Sequence, residues 1–101
     1  MTHFVVVLPF ALPAVQQNLT ATFQREGFAW WHWSGDCWLL AHNNDQLNAV
    51  SVRDWILRMF GGVQIQIAVL KIELPKDVPW AVFGPTDWGK WLGEYWENKV
   101  R

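Results

Sequence analysis

His32 and Cys37 flank the dipeptide Ser34-Gly35, and a two-residue turn there would set them directly across a hairpin. An imidazole beside a thiol could activate the sulfur or share a soft metal ion with it. Two ligands are too few for zinc, and no acid lies on their face to orient the ring, so a partly buried structural histidine is the favoured account of His32. His42 falls on the opposite face by parity, and His3, near the start of the chain, is expected to be exposed. Asp36 with Asp45, or Asp54 with Glu73, could be paired for acid–base work. The hairpin accounts for Asp36, and a helix start accounts for Asp54. Gly61-Gly62 is not a phosphate loop, because it lacks a following Lys-Ser/Thr and comes after a helix rather than before one. The residues therefore assign no catalytic set, no metal and no cofactor.

The elements that must position these groups follow from periodicity. Phe4 to Leu8 is apolar at every position, the pattern of a strand buried on both faces, and Pro9 ends it. Pro13 suits a first helical turn; Val15, Leu19 and Phe23 recur on one face, and Gly27 stops the helix. Phe28–Trp33 and Asp36–His42 form the hairpin. Its turn pairs Trp33 with Asp36, His32 with Cys37, Trp31 with Trp38 and Trp30 with Leu39. Phe28, Trp30, His32, Cys37, Leu39 and Ala41 then share one face, while Ala29, Trp31, Trp33, Asp36, Trp38, Leu40 and His42 share the other.

Ser51 with Asp54 resembles a capping box for a second helix with the stripe Val52, Trp55, Ile56, Met59 and Phe60; residues 45 to 50 could extend it, and Gly61-Gly62 ends it. Val63 to Leu74 reads as a last long strand whose apolar phase moves from odd to even positions. That shift points to a bulge or to a change of packing partner. Residues 75 to 85 read as a linker holding Trp80, Val82 and Phe83. Thr86 to Asn98 reads as a short helix with Trp88, Trp91, Leu92 and Tyr95 on one side.

Composition narrows the class. The chain has 101 residues, 51 % apolar and 17 % charged, with a formal net charge of −1. This is one small domain, neither disordered nor coiled coil. The balance gives no bulk electrostatic reason to coat nucleic acid or an anionic membrane, and the eight basic residues are scattered. Tryptophans stacked on single-stranded bases would need a basic groove, so core or interface placement is favoured for them. Phe4 to Val15 is too short to span a bilayer and lacks the preceding basic residues of a secretory signal. A single cysteine fits a reducing, cytoplasmic setting.

The order strand, helix, strand, strand, helix, strand predicts an α+β, ferredoxin-like βαββαβ fold. Its four-stranded antiparallel sheet would carry two helices on one face and be followed by a tryptophan-rich C-terminal extension. Residues 1–74 form the domain, and 75–101 an extension with a short helix packed on it. The helix-free face still carries large apolar groups, each worth about 1.5–3 kcal/mol when buried. A second copy packed on that face would shelter them, which predicts a homodimer. The interface or binding candidates are Trp30, Trp31, His32, Trp33, Cys37, Trp38, Leu70, Ile72, Trp80, Trp88 and Trp91.

Trp30-Trp31-His32 followed by Cys37-Trp38-Leu39-Leu40 resembles the "WWH…TWII" hairpin of bacterial SinR-family proteins, relatives of the small CRISPR-associated endoribonuclease-type subunit. Val52-Arg53-Asp54 with Ile56-Leu57 resembles the start of that family's second helix. Trp80-Ala81-Val82-Phe83 and Trp88-Gly89-Lys90-Trp91-Leu92 resemble its C-terminal segment. The resemblance implies a ferredoxin-like homodimer. In the nuclease relatives an aspartate ending the first strand binds a divalent cation between protomers, and here Pro9 stands at that position. The expected role is thus structural or interaction-based. The alternatives are a divalent-metal nuclease using displaced acids across the dimer, and a tryptophan-lined small-molecule pocket containing His32 or His42.

Overall fold

The run from Thr2 to Val7 forms β1, an inner strand of a four-stranded sheet, as its apolar residues on both faces require. The computed structural model describes residues 1–9, 12–60, 65–77 and 79–97. Around β1 the chain places α1 (Pro13–Arg25), β2 (Ala29–Ser34), β3 (Cys37–His42), α2 (Ala49–Met59), β4 (Ala68–Ile72) and α3 (Thr86–Tyr95). The strand order is β2-β3-β1-β4 and every neighbouring pair is antiparallel. The fold is therefore α+β with a four-stranded antiparallel sheet, as the alternation of elements implied. Among the described residues no helix is long and apolar enough to cross a membrane.

The sheet separates two apolar clusters. On one face Phe4, Val6 and Leu8 of the first strand and its exit, with Trp38 and Leu40 of β3, meet Leu19 and Phe23 of α1 and Val52 and Ile56 of α2. Pro13 opens α1 and Gly27, at φ 82°, follows its end, a backbone angle that glycine adopts without strain. On the other face Leu39 and Ala41 of β3 meet Leu92 and Trp96, with Val5, Trp31, Ile72, Trp80, Val82, Trp91 and Tyr95 packed around them. The chain's own C-terminal segment, carrying α3, thus covers the face opposite α1 and α2. The apolar side groups that called for a second copy have a cover from within the chain.

The hairpin register differs from the one read off the turn. Trp30 pairs with Leu40, Trp31 with Leu39 and His32 with Trp38, and an irregularity between His32 and Ser34 inserts one residue, Trp33, into β2. A one-residue slip moves every side chain of β3 to the opposite face relative to β2. Trp38 and Leu40 therefore join Phe28 and Trp30 under the helices, while Leu39 and Ala41 join Trp31 beneath α3.

The helix α2 starts earlier than Ser51: Asn48 is its N-cap, and Ser51 occupies the third helical position of a reciprocal capping box. The last strand is shorter than 63–74, and no bulge is needed for its apparent change of phase. Ile65, Ile67 and Val69 pack toward α1 and α2, whereas Ile72 and Leu74 pack toward α3. The alternation is unbroken; what changes along the strand is which face has a cover. The expected helix end at Gly61-Gly62, strand start at Val63 and helix end at Asn98 lie outside the described residues, as does Phe10.

Candidate functional site

The residues singled out in the sequence divide between the two faces. Trp38 is fully enclosed on the α1/α2 side, its Nε1–H donating to Thr20 Oγ1 at 3.0 Å. Trp30 is half-buried against the same cluster. On the α3 side the indoles meet across the interface between sheet and cover. Trp31 lies 6.1 Å from Trp91 and Trp33 5.5 Å from Trp88, ring centre to ring centre. Gly84 lets the chain pass against the Trp88 ring, where an added Cβ would come within 2.7 Å of it. The slot bounded by Trp31, Trp33, Leu39, Val82, Trp88 and Leu92 has no free volume large enough for a water. It is packed interior and not a ligand pocket. Ile72 is half-buried in this layer, whereas Leu70, on edge strand β4, is 53 % exposed. Trp80 is half-buried beneath α3, and its Nε1–H is buried with no hydrogen-bond partner among the described residues.

The His32–Cys37 pair does not form. The bulge pairs Cys37 with Ser34, and His32 lies flat on Trp38, 4.3 Å away and within 1° of parallel. The Cys37 thiol is pushed above its ordinary pKa, first by burial and then by the neighbouring Asp36 carboxylate. Both influences disfavour the thiolate, the opposite of activation.

Each histidine donates its Nε2–H to a main-chain carbonyl: His3 to Tyr95 at 2.7 Å, His32 to Gly35 at 3.3 Å and His42 to Glu26 at 3.2 Å. His42 Nδ1 accepts from the Asn44 N–H at 3.0 Å, so that ring has no nitrogen to spare. His3 is 7 % exposed, against the expectation of a surface position. It shares the side of β1 that bears Val5, and α3 closes over that side. Burial is the main influence holding its pKa below the ordinary value. The carboxylates also have local duties: Asp36 accepts from Ser34 Oγ at 3.1 Å and Asp54 pairs with Arg53 at 2.9 Å. Among the described residues no three of His, Cys, Asp and Glu gather as metal ligands would.

Two of the open hollows adjoin histidines singled out in the sequence. One of about 250 Å³ lies between α2 and the far end of the hairpin, with Phe28, Leu47, Val52 and Trp55 as walls and His42 at its edge. It is smaller than the usual ~300–1,000 Å³ of a small-molecule site, and its imidazole nitrogens are already bonded. The larger cleft, about 720 Å³, is a polar groove where β1 and β4 meet the end of α3, edged by Asp45, Lys71, Glu73, Glu94 and Glu97. Tyr95 and Trp96, the second of which the helix stripe read from the sequence left out, hold that end of the cover. Trp88, Leu92 and Trp96 are spaced by four, a signal that the stripe continues one turn beyond Leu92. Compared with known protein families, curated proteins and solved structures, the chain matches none.

Proposed function

We propose that the chain is a ferredoxin-like structural or interaction protein, of the type represented by the SinR-family proteins and the small CRISPR-associated nuclease subunits, without their metal nuclease chemistry. The observation that carries this reading is the commitment of the polar side chains. All three imidazoles donate to backbone carbonyls, and burial together with the Asp36 carboxylate pushes the Cys37 thiol's pKa up. The three imidazoles and the one thiol are thereby built into the scaffold. Support for the ferredoxin-like reading comes from the strand order, which from the β4 edge runs β4-β1-β3-β2 with all neighbours antiparallel. This is the arrangement a βαββαβ chain makes when its third strand fills the gap between the first and second.

A cytoplasmic homodimer is part of the proposal. Among the exposed apolar groups of the described residues, Leu70 on the β4 edge and, around the cover, Trp33 and the fully exposed Phe83 remain for a second copy. Sedimentation at micromolar concentration tests it, and a single monomeric species removes the dimer. The alternative reading, a divalent-metal nuclease at a dimer interface, draws on Asp45, Glu73, Glu94 and Glu97, which edge one open cleft. Incubation with single-stranded RNA and with DNA, in the presence of Mg²⁺ or Mn²⁺, separates the two. Intact nucleic acid supports the interaction protein, and cleavage abolished by a chelator overturns it in favour of the nuclease.

A further inference from the structure

Among the described residues, the C-terminal segment is joined to the sheet by apolar contacts and by the long-range hydrogen bonds of two side chains. Trp96 Nε1–H donates to the Leu40 carbonyl at 3.3 Å, and His3 Nε2–H donates to the Tyr95 carbonyl at 2.7 Å. Tyr95 is the last residue of α3, so His3 satisfies a carbonyl that the helix itself leaves without a partner. The imidazole also stands edge-on to the Trp96 ring, centres 5.5 Å apart at 73°. One ring from β1 therefore meets both residues that end the cover.

Protonation would put a full charge on a ring with 7 % of its surface in water. We propose that residues 79–97 are an acid-released cover of the sheet with His3 as its clasp. When the imidazole takes a proton, α3 leaves the β1–β3 face while the layer formed by α1 and α2 stays folded.

The charged groups around His3 are the Met1 amino group, Asp45, Lys71 and Glu73 on the sheet side, and Glu94 and Glu97 on the cover. The amino group opposes a second positive charge. The carboxylates edge an open groove, where water and salt screen their attraction for an imidazolium. Burial acts on the ring directly and is the larger influence, against a smaller opposing pull from the Tyr95 carbonyl. The closed state therefore holds His3 neutral, whereas the opened state lets it return toward 6.5. Its contribution to closure is complete above that value. It is lost progressively as pH falls from there toward the lowered pKa of the closed state.

Opening is confined to the cover because the two apolar clusters share no residue. Leu92 and Trp96 belong to one, and the contacts of α1 and α2 with the sheet belong to the other.

The test is amide hydrogen exchange of the full chain, corrected for intrinsic rates, between about pH 8 and about pH 5, the window in which imidazoles change charge. Protection of residues 86–96 is expected to fall several-fold on acidification, with a ceiling of roughly tenfold for each unit separating the closed and open pKa values. Protection in β1, β3 and α1 is expected to hold. His3→Gln, which keeps an N–H donor, should make α3 protection independent of pH. An equal fall in that variant, or a fall shared by β1 and β3, overturns the proposal. A direct NMR titration of the His3 ring needs no variant: a midpoint below 6.5 supports the clasp, and one at or above it overturns it.

Discussion

At Trp38 an indole can be buried completely because its one polar edge finds an acceptor. The ring has no exposed surface, and its N–H reaches Thr20 Oγ1 on α1. An orphaned buried donor costs about 1–3 kcal/mol, whereas deleting donor and acceptor together is far milder. Thr20→Val is accordingly expected to destabilise the fold by about 1–3 kcal/mol in urea denaturation. Once Trp38→Phe has removed the indole N–H, adding Thr20→Val should cost much less, and strictly additive losses would show that the bond contributes nothing. The residues whose roles were hardest to read are the ones that depend on strand register. His32 and Cys37 looked like a chemical pair under a two-residue turn; one inserted residue gives His32 the Trp38 ring and leaves the thiol beside Ser34. His3 was read by its distance from the chain start, although β-strand parity already set it on the side of Val5.

Among the elements, α1 was legible almost to the residue, because a proline, a four-residue apolar repeat and a glycine stop all agree. The start of α2 was less so, since Asn48 and Ser51 are both good capping residues three apart. The structure uses Asn48 as the cap, with Ser51 N–H donating to Asn48 Oδ1 at 2.8 Å and Asn48 N–H donating to Ser51 Oγ at 3.2 Å. Asn48→Ala is therefore expected to lower stability by about 0.5–2 kcal/mol in thermal or urea unfolding. Asp54→Ala, which removes only an exposed ion pair with Arg53, should stay within about 0.5 kcal/mol of the parent. The reverse ranking would place the cap at Ser51. For β4 the sequence carried the right alternation but not its cause. A strand covered by helices on one face at its start and by α3 on the other face at its end shows the same pattern as a strand with a bulge.

At the scale of the molecule, a sheet clad on both faces within 101 residues explains why nine tryptophans are affordable. The sequence showed that both sides of the sheet were apolar, and a second copy was one answer to that. The spacing of Trp88, Leu92 and Trp96 held the other, a short helix whose apolar stripe matches the bare face. The two layers nevertheless differ in kind. Two helices joined through adjoining chain build the first, whereas the second hangs on a segment reached through residues 73–85, with Leu92 and Trp96 its buried anchors. Leu92 is 4 % exposed, and truncating such a side chain costs about 2–5 kcal/mol where the cavity cannot collapse. If the cover is a separable layer, Leu92→Ala should show that cost mainly as lost exchange protection in α3, with β1, β3 and α1 retaining theirs. The matching variant in the other layer, Ile56→Ala, removes a fully enclosed side chain that ties α2 to the sheet and should lower protection throughout. Equal and uniform losses in the two variants would mean that the chain folds as one cooperative unit, with no outer layer able to open alone.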